Sequence, residues 1–273
     1  MKTILTLAMS LALTTITPAS GSGTPERESP VVTTLEEMRA HPEAFKSVWV
    51  RFPIQFCSIG KISNPFFTRF VPSDYANFYA WSEGQKIWKR GDYDSVFGML
   101  FLSKESEILG SLYELNLYDR VWVTGVVRNV FQGEPWIEVT EFEVNSGKVN
   151  TATLSHMFRG EAYMKRREWH RAISELSLAP SGQLPQPVLS SIHENLGVCY
   201  LRLGEAELAI QHLNQAVSMS VGQDYDLQDL QATARDKPEA GLDLKVDRSS
   251  LQDHERPMWE AFEELGAPPA PVR

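Results

Sequence analysis

Hydrophobic and polar residues alternate with different periods in different parts of this chain. Ile4 to Ile16 is apolar and free of charge, with Lys2 ahead of it and the small residues Thr17-Pro18-Ala19 behind. That layout predicts an export signal, too short for the roughly 20 residues a bilayer span needs. Further on, Thr34 and Glu37 form a capping box that starts a short helix carrying Leu35 and Met38 on one side. Val48, Val50, Phe52, Ile54 and Phe56 then alternate with Trp49, Arg51, Pro53, Gln55 and Cys57. A period of two predicts a strand with one wholly apolar face, and Pro53, which has no N–H to donate, implies an edge or bulge. Val96 to Leu102 is continuously apolar, as in a strand covered on both faces. Val121, Val123 and Val127 alternate around Gly125, and Gln132-Gly133 sits where a hairpin loop belongs. The returning strand changes phase between Ile137/Val139 and Phe142/Val144, which a bulge near Thr140-Glu141 reconciles. Short, bent antiparallel strands with a mid-strand glycine suit a small closed barrel.

Two stretches carry a family resemblance: Leu35 to Met38 running on through His41-Pro-Glu-Ala-Phe-Lys-Ser-Val-Trp-Val-Arg51, and Asp119-Arg-Val-Trp-Val-Thr-Gly-Val-Val127. Together they resemble the oligonucleotide/oligosaccharide-binding (OB) barrels of exported bacterial proteins. The resemblance implies the barrel and not a ligand. Between Asn64 and Trp88 lies an aromatic stretch that reads as an insertion: Phe66, Phe67, Phe70, Tyr75, Phe78, Tyr79 and Trp81, with Arg69, Lys86, Lys89 and Arg90 in or near it. Large rings are core material first. Alternatively Tyr75, Phe78, Tyr79 and Trp81 form a ligand face on which sugars or bases stack.

A second pattern follows. Gly160, Tyr163, Ala172 and Ala179 recur as Gly197, Tyr200, Ala209 and Ala216, each 37 residues on, and His156/His193, Ile173/Ile210 and Leu176/Leu213 obey the same offset. This resembles the tetratricopeptide repeat (TPR), with the extra residues falling in the Pro180–Pro187 connection. Two repeats are fewer than a continuous core usually needs, so the open ends require cover. Leu227, Leu230 and Ala234 predict one covering helix and Met258, Trp259, Phe262 and Leu265 another, or alternatively a tail peptide that docks on a partner; the barrel or a second chain are other lids. The resemblance implies a groove for a protein or peptide partner, lined by Met157, Glu161, Tyr163, Asn195, Val198 and Leu201. Met157 and Glu161 stand where chaperone-binding relatives place a Lys and an Asn, so a terminal-carboxylate clamp is not expected, although Asn195 matches a further clamp position.

Composition adds limits. The chain has 273 residues, 42% of them hydrophobic, which is ordinary for a protein with a packed core. Its formal charge of −9 is uneven: residues 222–273 hold 12 acidic and 6 basic groups together with Pro238, Pro257, Pro268, Pro269 and Pro271. Such a tail predicts solvated chain, and an acidic protein repels nucleic-acid phosphates. The six histidines form no metal-spaced set, Cys57 and Cys199 read as buried thiols rather than a disulfide, and Asp92, Asp94 and Arg90 read as a turn. No nucleophile elbow, P-loop, zinc-protease or dinucleotide fingerprint is present. The expected architecture is α+β and multidomain: a signal at 1–19, a linker at 20–30, an OB-like barrel with the aromatic insertion at 31–147, two TPR repeats at 153–220 and an acidic, partly disordered tail at 221–273 with capping helices. The expected function is an exported (periplasmic or secreted), non-enzymatic protein-interaction scaffold without cofactor, metal or membrane span. A glycan- or oligonucleotide-binding module built on the barrel is the alternative.

Overall fold

The computed structural model describes residues 29–60, 69–220 and 224–237. The expected signal, the linker up to residue 28, the stripe from Met258 to Leu265, and Phe66 and Phe67 lie outside the described residues. The first part is built from β1 (Val31–Val32), α1 (Leu35–Ala40), a 3-10 turn (Pro42–Phe45), β2 (Trp49–Ile59), β3 (Tyr75–Ser82), α2 (Arg90–Asp94), β4 (Phe97–Ser103), α3 (Leu109–Glu114), β5 (Arg120–Phe131) and β6 (Glu134–Asn145). The sheet runs β1-β2-β3-β4-β6-β5, and β5 returns to pair with β2, closing a five-stranded barrel with β1 outside the ring. All ring pairings are antiparallel except β4–β6, which is parallel. This arrangement is compatible with an OB-like barrel.

The barrel core follows the alternation. Val50, Phe52, Ile54 and Phe56 of β2 are buried with Val121, Val123 and Val127 of β5, and Leu35 and Met38 of α1 plug the same core. Thr34 Oγ1 accepts the Glu37 N–H at 3.1 Å, so the predicted cap starts α1. Pro53 occupies a break in the pairing. The Thr33 N–H donates to Arg51 O at 3.1 Å, whereas the Phe56 N–H donates to Asp119 O at 2.8 Å on the β5 side. Odd positions of β2 therefore turn away from β5, and Pro53 lies between the end of β1 pairing at Arg51 and the start of β3 pairing at Ile54. A residue without an N–H is tolerated there because no strand asks for one.

The phase change in β6 is a bulge. Thr124 pairs with Glu141 and Gly125 with Val139, leaving Thr140 as the extra residue, and its hydroxyl donates to Thr124 O at 3.2 Å. Gln132 and Gly133 adopt positive φ of 54° and 77° at the hairpin. The part of the aromatic stretch from Tyr75 to Ser82 belongs to the barrel and is not an insertion. Tyr75–Ser82 is β3, paired on both sides within the barrel.

The second part is helical: α4 (Thr151–Lys165), α5 (Trp169–Leu178), α6 (Gln186–Arg202), α7 (Ala206–Met219) and α8 (Tyr225–Asp236). Contacts repeat at the same offset as the sequence. Thr153 Oγ1 donates to Ala179 O and Ser190 Oγ to Ala216 O, both at 2.9 Å, which brings the start of each first helix beside the end of its partner. A Cβ on Gly160 would lie 2.7 Å from Leu176, and one on Gly197 2.6 Å from Leu213. The turns match as well: Arg167 and Gly204 both have positive φ, at 60° and 82°. Leu227 and Ala234 of α8 are buried against Leu201, Ala209, Leu213 and Ala216, so the expected covering helix closes one end of the array.

Gly125 has no room for a side chain, since a Cβ would stand 2.5 Å from the Glu138 carbonyl oxygen across the bulge. Gly125→Ala should cost about 1–3 kcal/mol of stability through overpacking against backbone. A urea titration measures it, with Gly110→Ala, where a Cβ meets nothing within 4 Å, as the control.

Candidate functional site

The barrel and the helices share one apolar core. Trp81, Ile87, Trp88, Tyr93 and Tyr118 pack with Leu154, Met157, Leu176, Val188, Ile192 and Leu196. The segment between β3 and α2 delivers the central contact. Trp88 is 2% exposed, and its Nε1–H donates to Glu161 Oε1 on α4 at 2.6 Å. Asn195 Nδ2 of α6 donates to the same oxygen at 3.4 Å. Lys89 Nζ lies 3.7 Å from Glu161 Oε2, and Lys86 Nζ lies 3.6 Å from Glu194 Oε2. Burying an indole gains several kcal/mol, and the carboxylate satisfies its one polar atom.

This changes the expected groove. Met157 is fully buried in the shared core, and Glu161 and Asn195 hold the barrel's own Trp88. Leu201 is buried in the other core, against α7 and α8. Tyr163 lies half-buried under the Arg171 guanidinium, 5.8 Å from the ring centre, and Val198 is half-buried. The six residues do not line one open groove.

The four barrel aromatics also part company. Phe78 points into the barrel and is 1% exposed, whereas Trp81, on the opposite strand face, is fully buried against Tyr93 and Tyr118. Its Nε1–H donates to Tyr93 O at 2.9 Å. Tyr79 is half-buried beside that shared core, and Tyr75 is half-buried edge-on to Phe70, its hydroxyl 3.3 Å from Glu138 Oε1. Two of the four are core, and the set presents no common face.

A cleft of about 550 Å³ lies between the barrel wall and α6, and a second of about 570 Å³, lined by Arg120, Gly147, Leu184 and Leu189, shares Glu83 and Pro187 with it. On the barrel side the first runs from Thr33 and Thr34 past Pro53 and Trp122 to Glu83 and Gly84. Pro187, Ser190, Ser191 and Glu194 form the α6 wall, and Asp224 ahead of α8 stands at the rim. Thr33 Oγ1 is buried without a hydrogen-bond partner. Sequence reasoning missed this site. Its one signal was Trp122, a large ring between the inward-facing Val121 and Val123 and therefore on the outside of β5.

Comparison with family models, curated proteins and solved structures gives no match to this chain. Among the described residues no group of three or more His, Cys, Asp or Glu side chains gathers as a metal site, and no helix is long and apolar enough to cross a membrane. Cys57 and Cys199 are free and buried, and burial pushes both thiols up to about 12. Burial also lowers Arg120, whose guanidinium pairs with Glu83.

The repeat places different chemistry at equivalent sites. In the first hairpin His156 Nδ1 meets Glu175 Oε2 at 2.8 Å, with Arg159 Nε 3.0 Å from the same oxygen. Burial works to raise Glu175, but the His156 and Arg159 hydrogen bonds outweigh it and leave the carboxyl lowered. In the second hairpin His193 Nδ1 meets His212 Nδ1 at 3.0 Å, and Tyr200 stacks on His212. Burial lowers both imidazoles, and the His193 charge adds to the effect on His212.

Two measurements follow from these contacts. Trp88→Ala should cost about 3–5 kcal/mol, and Trp88→Phe, which keeps the ring but removes the donor from Glu161, about 1–2 kcal/mol, both read by urea unfolding. The second is pH dependence. His193 and His212 bind protons less readily folded than at their ordinary 6.5, so the unfolded chain takes up more protons as pH falls. Their contribution is fully present above about pH 6.5 and is lost below it, whereas that of Glu175 is present above its ordinary 4.5 and is lost only in stronger acid. Melting temperature should therefore fall between about pH 7.5 and 5.5, and His193→Gln should flatten that fall.

Proposed function

We propose that this chain is an exported, non-enzymatic protein-interaction scaffold: an OB-like barrel carried on a TPR-like pair of helical hairpins. The observation that carries the repeat part is the doubling of contacts at a fixed 37-residue offset, from Thr153–Ala179 and Gly160–Leu176 to Ser190–Ala216 and Gly197–Leu213. Such small-residue contacts let paired helices approach closely and build a rigid, displayable surface. Ring closure through β2–β5 and the parallel β4–β6 pairing support the barrel part. Export rests on the sequence of residues 1–19 alone.

The partner surface is revised from the repeat groove to the cleft, because the barrel's Trp88 already uses Glu161 and Asn195. Glycan or oligonucleotide binding through the barrel aromatics would require Phe78 and Trp81 to leave two packed cores. No observation favours that step.

The test is affinity capture from the native cell envelope with the chain lacking residues 1–19, alongside a form that also lacks residues 238–273. The expected result is the same protein in stoichiometric yield on both baits, and its loss on a Trp122→Ala bait that still melts cooperatively. Recovery of no protein above the blank resin would sink the scaffold reading.

A further inference from the structure

We infer that the cleft between β1 and α6 is a docking site for an extended peptide segment carrying basic and apolar side chains, added as a strand along the free edge of β1. This inference rests on the scaffold reading and names the kind of partner.

The edge is the first ground. Among the described residues β1 stands at the end of the sheet order and pairs with β2 alone, in parallel. Val31 pairs opposite Val50, Val32 opposite Arg51, and the Thr33 N–H bonds to Arg51 O. Backbone groups alternate along a strand, so Val31 and Thr33 face β2 while the N–H and C=O of Val32 face the open side. Val32 is 68% exposed and lies on the cleft wall. This short edge offers an incoming strand one outward pair of backbone groups, those of Val32.

The lining is the second ground. Trp122, Pro53 and Pro187 give apolar surface for one side of an extended chain. Charge selects the rest. Four carboxylates, Glu36, Glu83, Glu194 and Asp224, face one ammonium, that of Lys86. Glu83 is paired with Arg120 and Glu194 with Lys86, so Glu36 and Asp224 carry the unbalanced charge. Asp224 spends one oxygen on the Leu227 N–H at 3.0 Å and keeps the other. A cleft of this charge repels phosphates and attracts Lys or Arg. At about 550 Å³ the cleft lies within the usual range of binding sites.

The experiment uses the full chain lacking residues 1–19 and fluorescein-labelled octapeptides of alternating Lys and Val, alternating Glu and Val, and the Lys-Val peptide with alternate backbone nitrogens methylated. Binding is read by fluorescence anisotropy at about 50 mM and about 300 mM NaCl. The Lys-Val peptide should bind at least about tenfold more tightly than the Glu-Val peptide, with the difference shrinking in high salt. The methylated peptide should lose at least about tenfold, because it cannot complete the ladder. Glu36→Lys, a reversal at an exposed helix position, should weaken Lys-Val binding by a similar factor while leaving the melting temperature in place. Equal binding of the Glu-Val peptide, undiminished binding of the methylated peptide, or indifference to Glu36→Lys each overturns the inference. So does binding of a neutral oligosaccharide in the cleft with no peptide bound. Any of these leaves the scaffold reading standing so long as the envelope capture still yields its protein, so the two failures are distinguishable.

Discussion

The packing of Trp88 against α4 and α6 is the contact on which the rest of the architecture depends. Two hairpins do not bury a continuous core alone, and a barrel with Trp81, Tyr93 and Tyr118 on its outer face would leave a large apolar patch in water. Each solves the other's problem. The rings from β3, α2 and the chain before β5 meet Leu154, Met157, Ile192 and Leu196, and Glu161 takes the Trp88 N–H. Interfaces between domains are usually modest and polar, and permit motion. A core that runs through both parts makes relative motion costly, and the surfaces at its margin keep a defined shape.

The same contact explains how a short repeat array can stand. The barrel covers the inner face, and α8 covers the far end through Leu227 and Ala234. Within that frame the backbone repeats closely and the chemistry does not. Equivalent pairs of positions hold His156 with Glu175 in one hairpin and His193 with His212 in the other. The second hairpin, against which α8 packs, therefore holds two imidazoles whose charged form burial disfavours.

Much of this was legible from residue order because the signals were local. Alternation from Val48 to Phe56 marks β2, and the switch of parity in β6 locates the Thr140 bulge, since one extra residue flips every later side chain. The 37-residue offset locates both hairpins through small residues that tolerate no Cβ contact. β3 reads as an insertion in the sequence for a physical reason. It is covered on both faces, by the barrel core at Phe78 and by the shared core at Trp81, so both parities are aromatic or small and no alternation survives. The expected groove failed differently. Met157, Glu161 and Asn195 read as groove lining for a partner, and nothing in residue order says that Glu161 and Asn195 meet Trp88 of the same chain.

The cleft has its own structural cause, which ties it to the sequence. β2 is too long for one neighbour on its open side: β1 serves it as far as Arg51 and β3 only from Ile54, with Pro53 between them. Thr33 and Thr34 leave β1 on one side of this gap, and Glu83 and Gly84 leave β3 on the other. α6 bridges above without filling it, since the residues it presents there, Pro187, Ser190 and Ser191, are short. Larger apolar side chains at those three positions would close the gap and extend the shared core. The small residues on α6 and the proline on β2 leave this gap beside Trp122, whose ring lies under the Arg51 guanidinium at 5.2 Å. The opening thus follows from the lengths of β1, β2 and β3 and from the short side chains of α6.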